Sequence, residues 1–359
     1  MKKNVILGSK KAFSRLLLKW DRDQNKRQMP WKGENDPYRI WLSEIILQQT
    51  RVEQGWSYYN KFIKAFPNIQ SLAAASEKTV LKYWEGLGYY SRCRNLIETA
   101  RLITSKRKGR FPDSYTEILS LKGVGPYTAA AISSFAYNLP HAVVDGNVVR
   151  VLARVFGIRE PADSSSGKKL FATLAEELLD KKEPGRYNQA IMDFGATVCK
   201  PAIPQCDHCK LKKYCYAFTH NKTQDLPVKS GRVRIRQRWF YYLFLEHRGR
   251  LAIHRRSAKD IWEGLYEFPL VETGAVRSIP DILAEAEKRK WLIPNGYRVS
   301  SVTPLLRHQL THQLIQGRMI HVRTEKKPTE SGWSWVTRSA ISRYPFPRFF
   351  HDFLKNMTG

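Results

Sequence analysis

Over the first two thirds of the chain, apolar residues recur at helical spacing in stretches separated by short Gly, Pro or Asp punctuation, with little alternation of period two. This part is predicted to be a set of helices. Asp36 and Pro37 open one that runs from Tyr38 to Gln49, and between Ile40 and Leu47 only Ser43 and Glu44 are polar. A helix apolar nearly all round is expected to be buried. Ser114 and Glu117 fit a capping box for a short helix that stops at Gly123, and Pro126 suits the first turn of the next. Asp145 precedes a helically spaced apolar run from Val148 to Val155, the place of an N-cap. After about residue 236 the pattern changes. Trp239 to Leu245 is an aromatic and β-branched run, residues 247–250 are turn-like, and Leu251 to His254 resumes strand character, which predicts a hairpin. Residues 305–323 repeat the pattern, with a turn expected near Gln316-Gly317.

Composition adds a partner class. In 359 residues, 61 Lys and Arg face 32 Asp and Glu, a formal charge of +29, while hydrophobics at 42% supply enough material for packed cores. An excess of this size attracts polyanions, nucleic acid first. The charge is patchy: residues 120–200 hold ten basic against eight acidic residues, residues 210–259 fourteen against two. An anionic membrane is the competing partner, but no amphipathic helix with a long basic face is evident. No run of eighteen apolar residues occurs, and only three apolar residues follow one another near the N-terminus. Neither a membrane span nor a secretory segment is therefore expected, and the location expected is intracellular, in cytoplasm and nucleoid. The Lys-, Ser-, Gly- and Arg-rich residues 221–235 form an expected linker between domains at 1–220 and 236–359.

Four of the five cysteines lie within seventeen residues, as Cys199-x6-Cys206-x2-Cys209-x5-Cys215. In a reducing compartment such crowding favours a metal site over disulfides. Zinc accepts four thiolates, but zinc ribbons use two Cys-x2-Cys knuckles and this chain has one, so the spacing favours an iron–sulfur cluster over zinc. Cys93 has no partner motif and reads as a buried thiol.

Two glycines and two carboxylates complete the candidate chemistry. The Gly123-Val124-Gly125 turn between helices can bring backbone N–H groups close to a phosphate, or be an ordinary helix–helix turn. Glu44, on an apolar helix, is either desolvated, with a raised pKa, or lies on that helix's one wet stripe. Asp145 as an N-cap accepts backbone N–H bonds, which keep a carboxylate ionised, and a plain cap is the ordinary meaning. One carboxyl pushed toward neutral beside one held as an anion is the arrangement that cleaves a glycosidic bond.

Together, Trp41 to Thr50, Gly86-Leu87-Gly88-Tyr89-Tyr90, Gly123-Val124-Gly125, Val144 to Val148 and the cysteine spacing resemble the MutY adenine DNA glycosylases of the helix-hairpin-helix superfamily. The likeness is dense over about residues 10–220. It continues more loosely through Gly264-Leu265-Tyr266-Glu267-Phe268-Pro269. The resemblance implies a multidomain protein: a mainly α-helical helix-hairpin-helix glycosylase domain with a [4Fe-4S] loop at residues 199–215, followed by an α+β Nudix-like domain. It implies a monomeric base-excision repair enzyme that acts on double-stranded DNA and removes adenine mispaired with 8-oxoguanine or guanine. Glu44 would protonate adenine N7, Asp145 would stabilise the oxocarbenium ion with support from Asn147, and Tyr127 and Gln189 would line the adenine pocket. Arg27, Trp31 and Leu47 fall at pocket or wedge positions. Gln48 and Thr50 belong to the same DNA-binding segment, and Gln49 and Tyr89 would wedge into the duplex. Gly123 and Gly125 would hold backbone phosphate. Cys199, Cys206, Cys209 and Cys215 would hold the cluster.

Two departures sharpen the expectation. The related endonuclease III type carries a Schiff-base Lys where this chain has Tyr127, so a monofunctional glycosylase is implied and a pyrimidine-specific lyase is the alternative. A third possibility is a DNA-binding iron–sulfur protein without catalysis, against which both carboxylates argue. A Nudix hydrolase needs a Glu six residues after Gly264, where Leu270 stands, so nucleotide hydrolysis is rejected. The family's 8-oxoguanine loop reads Phe-Ser-His after a His. Here His308, Thr311 and His312 keep its character, but Leu310 replaces the aromatic residue.

Overall fold

The computed structural model of the chain describes residues 3–231, 235–257, 259–328, 332–351 and 353–354. Residues 232–234 of the expected linker lie outside them. The chain divides into two compact units, one of residues 1–75 and 95–231, the other of residues 76–94 and 232–359.

The first unit is helical, as the spacing predicts. In chain order the helices are α1 (Lys3–Gln24), α2 (Pro37–Leu47), α3 (Val52–Ala65), α4 (Ile69–Ala74), α5 (Glu77–Trp84), α6 (Tyr90–Arg107), α7 (Tyr115–Leu119), α8 (Pro126–Tyr137), α9 (Gly146–Phe156), α10 (Ser165–Leu178), α11 (Pro184–Thr197) and α12 (Tyr216–Thr219). Of these, α5 and the start of α6 fall in the second unit. One core gathers Phe13, Leu17 and Trp20 of α1, Val151 and Leu152 of α9, Phe171 and Leu178 of α10, and Tyr187, Ile191 and Phe194 of α11. Helix α2 packs on α8, and α11 packs on α1, α8 and α9. Asp36 caps α2 by accepting from the Tyr38 N–H, and Ser114 caps α7 by accepting from the Glu117 N–H. Helix α2 ends at Leu47, two residues before the expected end at Gln49, because Gln49 turns into the left-handed region at φ +56°.

The second unit holds an eight-stranded sheet: β1 (Arg236–His247), β2 (Arg250–Arg255), β3 (Tyr266–Glu267), β4 (Leu270–Thr273), β5 (Tyr297–Val302), β6 (Leu306–Gln309), β7 (Gln313–Thr324) and β8 (Ser334–Thr337), with α13 (Ile279–Lys288) between β4 and β5. The order is β3-β2-β1-β7-β5, with β4 on β1, β6 on β7 and β8 on β2. The expected β1–β2 hairpin is present, antiparallel with Glu246 opposite Leu251, whereas β1 and β7 pair in parallel. Strand β1 is buried on both faces, which explains its unbroken apolar run. Tyr241, Leu243 and Leu245 face Ile282 and Ala286 of α13, while Phe240, Tyr242 and Phe244 meet an aromatic layer including Phe268 and Phe350.

The turn expected at Gln316-Gly317 lies instead at residues 310–312, between β6 and β7. Gly317 sits inside β7, paired with Phe240, where any Cβ would collide with the Phe240 carbonyl. The glycine therefore marks a close approach of two backbones and not a change of direction. Among the described residues no helix is long and apolar enough to cross a membrane. Replacing Gly317 with Ala is expected to destabilise the sheet by about 1–3 kcal/mol, read as a lower urea midpoint; an unchanged midpoint would contradict the tight β1–β7 contact.

Candidate active site

Helix α2 carries Glu44 into the interior of the first unit. Its neighbours Ile40, Trp41, Leu42, Ser43, Ile45 and Ile46 are all buried, and Glu44 itself is 6% exposed. Burial pushes its carboxyl up to about 7; the Tyr127 hydroxyl, bonded to the ionised form, opposes this, and the negative charge of Asp145 adds to it. The phenol of Tyr127, at the start of α8, is held far above its ordinary range by burial and by both carboxylates. Its hydroxyl also reaches the Met192 sulfur at 3.4 Å.

Asp145 is the N-cap of α9. One oxygen accepts the Val148 N–H at 2.7 Å and the other accepts from Asn147 Nδ2 at 2.7 Å. These bonds favour the anion, as expected of a cap, yet burial outweighs them and leaves the carboxyl above its ordinary value. The cap was legible from sequence; the depth at which it sits was not. Asn147 is held in turn by Arg150, whose Nη2 donates to Asn147 Oδ1 and to the Gly195 carbonyl, both at 2.7 Å, while its Nε donates to the Cys199 carbonyl at 2.8 Å. A Cβ on Gly195 would lie 2.7 Å from the Asn147 Cβ, so α11 approaches α9 here closely enough to fix Asn147 from behind. The buried Asn188 of α11 ties down the approach to Asp145, accepting the Val143 N–H and donating to Ser134 and to the His141 carbonyl.

A cavity of about 450 Å³ opens beside Glu44, lined by Trp31, Lys32, Glu34, Arg186 and Gln189 among others. Behind its wall Asp193, fully buried, accepts from Arg27, Lys32, Gln189 and Asn25 at 2.8–2.9 Å. Sequence reasoning missed Asp193, Lys32, Arg150 and Asn188. The four-residue step from Gln189 to Asp193 on one helix was a usable signal for the first of these.

The remaining predicted residues fall as follows. Leu47 is half-buried at the end of α2, Gln48 donates to Thr128 at 3.3 Å, and the Thr50 N–H closes the turn onto the Leu47 carbonyl. Gln49 and Tyr89 are exposed and both hold positive φ, +56° and +49°. Gly123 lies at φ +80° and Gly125 is extended directly before α8. In the second unit His308 packs between Trp262 and Phe349, and burial lowers its pKa, with the positive Arg348 adding to the effect. Leu310 is half-buried, Thr311 and His312 are exposed, and the Thr311 hydroxyl hydrogen-bonds that of Tyr89.

The four clustered cysteines surround a loop of two short 3₁₀ turns at Cys206–His208 and Lys212–Tyr214. Burial raises the thiols of Cys206, Cys209 and Cys215, and each also feels the charge of Cys199. Arg154, 2% exposed, points one guanidinium nitrogen at Cys199 Sγ (3.5 Å) and binds the carbonyls of Lys200, Pro201 and Leu226. Among the described residues no three His, Cys, Asp or Glu side chains converge on one metal ion.

Residues 42–177 match the HhH-GPD superfamily of base excision DNA repair proteins, and residues 240–356 match the NUDIX domain. The chain is 33% identical to an adenine DNA glycosylase of Buchnera aphidicola subsp. Baizongia pistaciae over 84% of its own length and 83% of the relative's. It is 36% identical to that of the Acyrthosiphon pisum subspecies over 73% and 75%. A thermostable thymine-DNA glycosylase of known structure superposes with a TM-score of 0.56 at 30% identity, covering 60% of this chain and 99% of that one.

The Glu44 environment has a thermodynamic signature. Between its ordinary value of 4.5 and about 7 the folded state keeps a proton that the unfolded state has released, so stability falls as pH rises through this window and levels off above it. The change is expected to reach at most about 3 kcal/mol and to shrink in Glu44→Gln, as read by urea titration at pH 5 and 7.5. Equal slopes in the two proteins would show that Glu44 is not desolvated. Identity of 33–36% along most of its length, together with the helical unit and the Nudix-like sheet, shows that this chain belongs to the adenine DNA glycosylase family.

Proposed function

We propose that the chain is a monofunctional glycosylase that releases adenine mispaired with 8-oxoguanine or guanine in double-stranded DNA, acting as a monomer within the nucleoid. The observation that carries this reading is the buried Glu44 carboxyl, poised near neutrality beside the capped Asp145 at the edge of a base-sized cavity. A glycosylase acting on duplex DNA takes its base out of the stack, and the cavity gives such a base a place to enter.

In this reading Glu44 donates its proton to adenine N7 as the bond from the sugar C1′ to N9 breaks and its electron pair moves into the base. The sugar is left as an oxocarbenium ion, which the Asp145 carboxylate stabilises. The arriving cation favours the anionic form of Asp145 against the burial that opposes it. Asn147 and the Val148 N–H keep the carboxylate aimed. Water then adds to C1′, losing its proton to a basic group. Tyr127 supplies no amine for a Schiff base, in keeping with base release without strand cleavage. The lining role falls to Trp31, Arg27, Leu47 and Gln189. Gln48, Gln49, Thr50, Tyr89, Gly123 and Gly125 take the contacts to the duplex, and His308, Leu310, Thr311 and His312 those to the opposing base.

The cysteine loop fits a [4Fe-4S] cluster: Cys209 feels the charge of Cys199, Cys206 and Cys215, so four candidate thiolate ligands lie near one another in one loop. When bound, the cluster supplies structure, holding Cys199, Cys206, Cys209 and Cys215 in one loop, while Arg154 offsets part of its negative charge.

Duplex with one adenine opposite 8-oxoguanine, treated with alkali after incubation, is expected to break at the adenine. Glu44→Gln should slow release by about 10²–10⁴-fold. In the wild type the rate should fall as pH rises through about 7, where the acid loses its proton. Wild-type release no faster than that of Glu44→Gln would sink the proposal, and borohydride trapping of a covalent complex would overturn the monofunctional part. Protein purified without oxygen is expected to contain iron and sulfide; stoichiometric zinc without iron would overturn the cluster.

A further inference from the structure

We propose that Asp193 is a positioning residue that sets the hydrogen-bonding polarity of the base pocket through Gln189, so that the pocket accepts a base with an exocyclic amine and rejects one with a keto oxygen there. The inference rests on the adenine reading above and deepens it.

Asp193 stands one turn after Gln189 on α11 and is fully buried. Its Oδ1 accepts from Arg27 Nη1 at 2.8 Å and Gln189 Nε2 at 2.9 Å; its Oδ2 accepts from Asn25 Nδ2 at 2.8 Å and Lys32 Nζ at 2.9 Å. Four donors converge on one side chain, which an ionised carboxylate, able only to accept, can satisfy. Arg27 and Lys32 reach it as ion-pair partners at 2.8 and 2.9 Å, setting two cations against the buried carboxyl group.

The consequence falls on Gln189. An amide has one donor end and one acceptor end of nearly the same shape, and on its own can turn over and exchange them. Facing a carboxylate, it must present its Nε2 hydrogens. With one Nε2 hydrogen engaged there, the carbonyl oxygen is the acceptor that the amide can offer to the cavity that Gln189 lines. An acceptor in that wall pairs with the 6-amino group of adenine. Against the 6-keto oxygen of hypoxanthine it opposes acceptor to acceptor, and a buried polar group without its partner is disfavoured. Asp193 touches no base; it acts by denying the amide its other orientation.

Single-turnover release of adenine and of hypoxanthine, each opposite 8-oxoguanine, tests this. Asp193→Asn offers both a donor and an acceptor, so the Gln189 amide can turn over, and the adenine-to-hypoxanthine rate ratio is expected to fall by about tenfold or more. Asp193→Glu, which keeps an acceptor-only group, should retain more of the ratio. Gln189→Ala should lower the ratio too, and adding Asp193→Asn to it should lower it no further. If the Asn variant does not fold, Asp193→Ser makes the same comparison, since a hydroxyl also both donates and accepts. Slower release of both bases at an unchanged ratio would reduce Asp193 to a structural support and overturn the proposal, as would full additivity with Gln189→Ala. Absence of adenine release by the wild type would instead defeat the functional reading itself.

Discussion

Keeping carboxyl groups away from water without leaving them unpaired is the constraint around which the first unit is arranged. Glu44 and Asp193 are buried and Asp145 is half-buried, and each is met differently. Glu44 lies on a hydrophobic helix whose burial favours its proton, against the opposing hydrogen bond of the Tyr127 phenol. Asp145 has a helix N-terminus and a side-chain amide, which resist but do not cancel the cost of burial. Asp193 has two cations and two amides. A single sequence thus produces three electrostatic conditions within a few helices, and the difference lies in the donors each carboxyl meets.

Helix α11 makes this possible. It packs on α1, α8 and α9, and along its length it contributes Asn188, Gln189, Asp193 and Gly195. Asn188 braces the segment leading to Asp145, Gln189 and Asp193 shape the cavity wall, and Gly195 lets the helix approach Asn147. The chain from Asp145 through Asn147 and Arg150 to the Cys199 carbonyl makes the carboxylate's surroundings and the cysteine loop parts of one hydrogen-bonded framework.

How much of this was readable beforehand depended on whether a feature is local. Asp36, Ser114 and Asp145 as caps followed from residue type and the apolar run behind them, and Glu44 stood out because its helix is otherwise apolar. The expected end of α2 at Gln49 overshoots by two residues because no Gly or Pro marks the stop, while the backbone turns at Gln49, a non-glycine residue in a left-handed conformation. Gly317 was misjudged because its reason is a strand distant in sequence: it makes room for Phe240. Asp193 escaped notice for the same reason, since Arg27 and Lys32 lie more than 150 residues before it. The upward shift of Asp145 likewise depends on what covers it, and no single segment encodes that.

Gly195 has a consequence for how inherited changes in this chain would present. It bears no functional group and lies fifty residues from Asp145, so a substitution there looks innocuous on paper. Any side chain at that position would nevertheless press on Asn147 and, through it, on the carboxylate. A glycine of this kind holds Asn147 and Asp145 in place by the volume it leaves empty.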